Sequence, residues 1–223
     1  MLIMNIERNL RELESRIARA AETAGRSPAD ITIVAVTKEV EVEAIEAAIK
    51  AGIGHIGENR VQEAMTKMER LSTLERQPMW HMVGHLQTNK VKTAAQIFDI
   101  IHSIDSLRLA EAVSQRAQDI MPVLLQVNVS GEATKSGFSV AELSQAAEEI
   151  ARLPRLEVKG LMTIAPLVAD AEEVRPIFRR LRQLRDELGL EHLSMGMTDD
   201  FEVAVEEGAT MVRIGRAIFG QRR

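Results

Sequence analysis

Eight short apolar runs alternate with amphipathic stretches along almost the whole chain, and that rhythm constrains the fold more than any single motif. The runs are ITIVAVT (31–37), HIGEN (55–59), MWHMVGH (79–85), DIIHSID (99–105), PVLLQVNV (122–129), LEVKGLMTI (156–164), HLSMGM (192–197) and MVRIG (211–215). Between them, residues 41–51, 60–74, 89–97, 106–118, 140–152, 171–188 and 200–207 carry helical periodicity, clearest where Leu143, Ala147, Ile150 and Leu153 share one face. Strands that are apolar nearly throughout belong in a parallel sheet covered on both faces. Eight such units in 223 residues predict an α/β protein: a single (β/α)8 TIM barrel over residues 1–223, near the minimum size for that fold. An open doubly wound sheet is the alternative that the same alternation permits. Before the first strand, Ile3, Ile6, Leu10, Leu13 and Ile17 recur at spacings of three and four, which predicts an extra N-terminal helix. It would cover the place that a helix after strand 8 normally fills. No Pro/Gly/Ser-rich linker divides the chain, so one domain is expected.

Composition removes several classes of function. Lys and Arg number 28 against 33 Asp and Glu, a net charge of −5, which disfavours a nucleic-acid binder because such affinity rests on many phosphate-neutralising cations. With one Trp, five Phe and no Tyr, there are too few rings for base-stacking platforms. The chain has no Cys, which excludes disulfides, thiolate nucleophiles and Cys-type metal sites. The five histidines form no H-E-x-x-H motif, and no metal site is expected. His81 and His85, four apart on one expected strand, read as packed or hydrogen-bonded residues. Charges from Glu7 and Arg8 onward leave no apolar signal core, and no charge-free run approaches a membrane span, so a cytoplasmic chain with no membrane partner is expected.

Gly52-Ile53-Gly54-His55-Ile56-Gly57 matches the dinucleotide fingerprint in letters only. That fingerprint needs a strand before it and a helix after it, and here the order is reversed. Gly52 is better explained as a helix terminator. Asp199 and Asp200 read as capping acids at the start of the next helix.

In a parallel barrel, functional groups come from the C-terminal ends of strands. Those ends carry Lys38, Asn59, His85, Asn128, Thr163, the stretch Ser194 to Thr198, and Gly215-Arg216. Small and hydroxyl residues after strands 7 and 8 suit a phosphate site, with Ser194 and Thr198 as donors; a tight turn with ordinary caps is the competing reading. Lys38 ends an apolar strand, where a primary amine can act as a nucleophile toward an aldehyde or be a solvated charge. A lysine and a phosphate cradle on one rim together point to a phosphorylated aldehyde, and pyridoxal 5′-phosphate is the evident one.

The strings AVTK (35–38), HIGENRVQEA (55–64), WHMVGHLQTNK (80–90), NVSGEATKSGF (128–138), GLMTIAP (160–166) and SMGMTDDFEVAVEEGATMVRIGRAIFG (194–220) resemble the pyridoxal phosphate homeostasis protein family. That family is similar in fold to the barrel domain of alanine racemase. The resemblance implies that Lys38 forms a Schiff base with pyridoxal 5′-phosphate. It further implies that Arg213 faces the pyridine nitrogen and that Ser194, Thr198, Gly215 and Arg216 surround the phosphate. Asn59 and His85 match positions lining the pocket. Arg60 departs from the pattern, since family members often carry Tyr there. The implied function is a monomeric cytoplasmic protein that holds and delivers the cofactor, with apo-enzymes dependent on it as recipients. A racemase-like enzyme is the alternative, and a barrel binding a plain sugar or nucleotide phosphate is a third reading. Against the racemase, the chain has no Tyr to supply a second proton-transfer group. Lys135, in the loop after strand 5, is expected on the same rim as Lys38, either as a second amine for passing the cofactor outward or as a solvated charge.

Overall fold

In the computed structural model, which describes residues 2–132 and 134–220, all eight apolar runs become strands and close into a barrel. The strands are β1 (Thr32–Val36), β2 (His55–Glu58), β3 (Met79–Met82), β4 (Ile100–Ile104), β5 (Met121–Gln126), β6 (Leu156–Met162), β7 (His192–Ser194) and β8 (Met211–Ile214). Every neighbouring pair is parallel, and β8 pairs with β1 through Thr32 to Ala35 opposite Met211 to Ile214. The open-sheet alternative is thereby excluded. The intervening helices are α2 (Val42–Lys50), α3 (Val61–Leu71), α4 (Val91–Ile97), α5 (Leu107–Arg116), α6 (Leu143–Ala151), α7 (Arg175–Glu187) and α8 (Phe201–Glu206).

An additional helix α1 (Leu2–Thr23) precedes the barrel, and a single turn, α9 (Arg216–Phe219), follows β8. With so little helix after β8, α1 takes the outer position there, packing against α2, α8 and α9. Ile6, Leu10, Leu13 and Ile17 are buried, each contributing about 1.5–3 kcal/mol of apolar burial; the side chain of Ile3 lies outside the described residues. Arg16 fixes the docking, donating to both Glu202 carboxylate oxygens at 3.1 and 2.7 Å with its guanidinium 4.6 Å from the Phe201 ring centre.

The pleat sorts each strand into two faces. Ala35, Ile56, Met82, Ile101, Val123, Leu125, Leu161, Leu193, Val212 and Ile214 join the large core between barrel and helices. Val34, Val83, Ile100, Leu124, Met162 and Met211 form a second, smaller apolar cluster. Gly52 follows α2 with φ +115°, a conformation natural to Gly, and β2 comes after it, as expected for a terminator rather than a nucleotide loop.

Candidate functional site

The loops after the strands build one face of the barrel, and two cavities meet there at Lys38. One, of about 530 Å³, lies on the β6–β8 side and is lined by Lys38, Asn59, Thr198, Arg213, Gly215 and Arg216 among others. The other, of about 570 Å³, lies on the β2–β3 side and is lined by Lys38, Asn59, Arg60, Gly84, His85 and Lys90 among others. Lys38 and Asn59 form their common wall. A third lobe of about 300 Å³ joins Asn59 and His85 to Asn128 and Lys135.

Lys38 follows β1 in a turn closed by the Val40 N–H donating to the Thr37 carbonyl at 2.9 Å. Asn59 follows β2, and its buried Oδ1 has no hydrogen-bond partner among the described residues. A buried amide oxygen left unpaired costs about 1–3 kcal/mol, so this position is prepared for a donor from whatever enters the cavity. Gly84 is pressed against Asn59: a Cβ there would sit 2.4 Å from the Asn59 carbonyl oxygen.

Arg213 projects from β8 and is almost completely buried. Nη1 donates to the carbonyl and hydroxyl oxygens of Ser194, both at 2.7 Å, and Nη2 donates to the Thr163 carbonyl at 2.8 Å. Burial pulls its pKa down to about 10, with Asp200 opposing, so the guanidinium stays charged at neutral pH.

Beneath Arg213 runs a column of imidazoles. Ser194 Oγ lies 2.9 Å from His102 Nδ1, His102 Nε2 lies 2.9 Å from His81 Nδ1, and His81 Nε2 lies 2.9 Å from His55 Nδ1. Because Arg213 can only donate, Ser194 Oγ accepts from it, and the hydroxyl hydrogen is satisfied at His102 Nδ1. That choice makes His102 and His81 the Nε2–H tautomers, each donating to the next ring. Burial keeps them neutral, bringing His81 down to about 3 and His102 well below its ordinary value. The column thereby fixes the guanidinium from below without adding charge.

The expected site residues do not all converge. Lys38, Asn59, Thr198, Arg213, Gly215 and Arg216 line one cavity. Ser194 does not reach it: Leu193 and Met195 on either side face the outer core, so the pleat turns its hydroxyl into the barrel, where it is spent on Arg213 and His102. It supports the arginine and is not a cavity donor. His85 lies beyond the end of β3, exposed, with Nδ1 3.1 Å from Asp105, and shares no strand face with buried His81. Arg216 is ion-paired with Asp199 at the cavity mouth. Asp200 precedes α8 but makes no side-chain cap; its carboxylate turns back to accept the Met197 N–H at 2.5 Å. Lys135 reaches the rim, with its amine 2.7 Å from Glu132 and donating to the Ile164 carbonyl at 3.3 Å.

Sequence reasoning missed a buried ion cluster under Lys38. Lys67 donates to the Thr37 carbonyl at 2.5 Å, Glu58 at 2.7 Å and Glu63 at 2.6 Å. The available signal was its spacing, since Lys67 falls on the buried stripe of α3 with Val61, Ala64 and Leu71.

Residues 8–223 match the family described as alanine racemase, N-terminal domain. A pyridoxal phosphate homeostasis protein of Aquifex aeolicus is 44% identical, covering 99% of this chain and 100% of the relative. The chain belongs to the pyridoxal phosphate homeostasis protein family. A second member, from Pseudomonas aeruginosa, is 43% identical over 97% of this chain and 96% of its own. The solved structure of PipY from Synechococcus elongatus, with PLP bound, has a TM-score of 0.85 and 35% identity, covering 96% of this chain and 100% of that one. Within the homeostasis protein family, the expected fold and the resemblance read from the motifs agree with these matches.

Proposed function

We propose that this chain holds pyridoxal 5′-phosphate in the cavity between Lys38 and Arg213, attached covalently through the Lys38 amine, and serves as a cytoplasmic store that delivers it to apo-enzymes. The observation that carries the reading is the convergence on one cavity of a primary amine, a fixed buried cation, a hydroxyl and guanidinium at the mouth, and an amide oxygen with no partner. A relative at 35% identity, PipY, was solved with PLP bound.

Each donor has a part matched to its chemistry. Lys38 supplies the amine that bonds an aldehyde. Thr198 and Arg216, with the backbone at Gly215, take the phosphate; Asp199 holds Arg216 at the mouth and keeps the local charge from becoming strongly positive. Asn59 offers an amide edge to the ring substituents. Arg213 faces the ring nitrogen as a permanent donor. When bound, the cofactor supplies an aldehyde that exchanges between amines and a ring able to draw electrons.

Arg213 limits the second of these. A cationic donor leaves a ring nitrogen unprotonated, which makes the ring a weak electron sink. The column of neutral imidazoles holds the guanidinium in that role and offers no carboxylate to replace it. Binding and exchange therefore fit this site better than carbanion chemistry does.

The test is equilibrium binding of pyridoxal 5′-phosphate, followed by transfer to an apo-enzyme that requires it. Wild type is expected to bind stoichiometrically and to restore the acceptor's activity, and Lys38→Ala to bind at least about tenfold more weakly while keeping the wild-type far-UV spectrum. Equal binding by the two proteins would overturn the reading.

A further inference from the structure

Glu39, next to Lys38, is the one non-glycine residue with positive φ among the described residues, at +59°. It occupies the third position of the Thr37–Val40 turn, which turns of this kind usually give to Gly or Asn because a Cβ crowds the backbone there. A strained residue beside a reactive amine persists only when its surroundings hold it.

The buried cluster supplies that hold from both sides of Lys38. Before it, the Lys67 ammonium donates to the Thr37 carbonyl at 2.5 Å. After it, the Glu39 N–H donates to Glu63 Oε1 at 2.6 Å, and the same oxygen accepts from Lys67 at 2.6 Å. One ammonium thus ties down the peptide groups on either side of the Lys38 residue. Glu58 completes the cluster, accepting from Lys67 at 2.7 Å and from the Thr37 hydroxyl at 2.5 Å, while its other oxygen accepts the Asn59 N–H at 3.3 Å. Lys67 and Glu58 are buried, so water does not compete for these bonds. Burial raises the Glu63 carboxyl, but Lys67 and the Glu39 N–H together pull it below its ordinary value, which keeps it an acceptor.

Core stability alone does not account for this arrangement. A buried ion cluster is costly to desolvate and adds little net stability over an apolar substitute of similar volume. Glu at the third turn position adds strain that Gly would avoid, although its carboxylate lies 3.7 Å from the Lys38 amine. What the cluster secures is the direction of one turn and, through Asn59, of its neighbour. We propose that Lys67 and Glu63 are the positioning residues of the covalent site, holding the Thr37–Val40 turn so that the Lys38 amine stands in the wall shared by the two cavities. The proposal rests on the reading that Lys38 is the covalent anchor.

The experiment measures the initial rate at which pyridoxal 5′-phosphate is trapped on Lys38 by borohydride, quantified by peptide mass, in the full-length protein. Lys67→Met, which keeps the stem and removes the donor, is expected to slow trapping at least about tenfold, as displacement of a reacting group does. Glu63→Ala frees the Glu39 N–H while leaving Lys67 its two other partners, and is expected to slow trapping about threefold to tenfold. Glu39→Gly, added to either variant, should bring the rate back to within about threefold of wild type, because Gly adopts the positive φ unaided. Because Glu39→Gly also removes the carboxylate 3.7 Å from the Lys38 amine, Glu39→Gly alone is the control, and it is expected to trap within about threefold of wild type. A single variant much faster than wild type would show that the repair comes from the lost charge and would overturn the positioning role. Should Lys67→Met fail to fold, Glu63→Ala with and without Glu39→Gly decides. Folded variants that trap at the wild-type rate, or slow variants unmoved by Glu39→Gly, would overturn the positioning role. Wild type giving no Lys38 adduct would instead overturn the anchor reading itself.

Discussion

Lowering the pH should destabilise this barrel, because the buried imidazoles along its axis resist taking up protons where they are. His102 is completely buried and His81 nearly so, and burial holds both neutral, His81 down to about 3. An unfolded chain protonates each imidazole as the pH falls through about 6.5, so stability is fully present above that value. It is lost progressively as the pH falls toward the folded-state value. Between pH 7 and 5.5 the difference is about 1.2 kcal/mol for each imidazole that stays neutral, or about 2.5 kcal/mol for the pair. Half-buried His55 and His192 shift in the same direction with smaller effect. Burial pushes Glu58 and Asp200 upward, and those carboxyls act with the opposite sign, so the wild-type curve alone does not isolate the column. The assay is urea unfolding at pH 7 and 5.5 for wild type, His81→Gln and His102→Gln, without added pyridoxal 5′-phosphate. Each variant is expected to be less stable at pH 7 and to lose about 1.2 kcal/mol less than wild type on acidification. Variants that lose as much as wild type would show that the column is not what the acid attacks.

Three further outcomes follow from the cavity. Gly84→Ala places a Cβ 2.4 Å from the Asn59 carbonyl oxygen, so the Asn59 backbone must move; about a tenfold weaker binding of pyridoxal 5′-phosphate is expected by fluorescence titration. Arg213→Leu leaves the Thr163 and Ser194 carbonyls without their buried donor, and a loss of about 3 kcal/mol is expected by chemical denaturation. Lys135→Arg keeps the ion pair with Glu132 but removes the primary amine; if Lys135 relays the cofactor outward, transfer to an acceptor apo-enzyme slows, whereas a wild-type rate shows the residue to be a rim charge.

The fold was legible because every strand of a covered parallel barrel repeats the same apolar signature. It was also legible because β1 to β8 run in sequence order, so each strand pairs with its neighbours along the chain and only β1 with β8 closes at long range. Lys38, Asn59, Thr198, Gly215 and Arg216 stand out in the sequence because each follows a strand and the loops after barrel strands share one rim, whereas Arg213 lies within β8 and enters only through the family resemblance. Ser194 lies inside the barrel because Leu193 and Met195 on either side of it face the outer core, an alternation that its place near the end of an apolar run does not reveal. The imidazole column was illegible for a different reason. His55, His81, His102 and Ser194 belong to four strands, and whether they meet depends on the stagger between neighbours, such as Gly57 opposite His81. Lys67 was hidden by its own charge, which places it on a solvated face by default, although its spacing along α3 placed it on the buried one.

Borohydride reduction of the loaded protein, followed by peptide mapping, reads covalent storage of pyridoxal 5′-phosphate on Lys38 without an acceptor enzyme. A single pyridoxyl adduct on the peptide carrying Lys38 is expected, with the visible absorption of the bound cofactor lost on reduction. An adduct on another lysine with Lys38 unmodified, or a loaded protein that reduction leaves without any adduct, would contradict it.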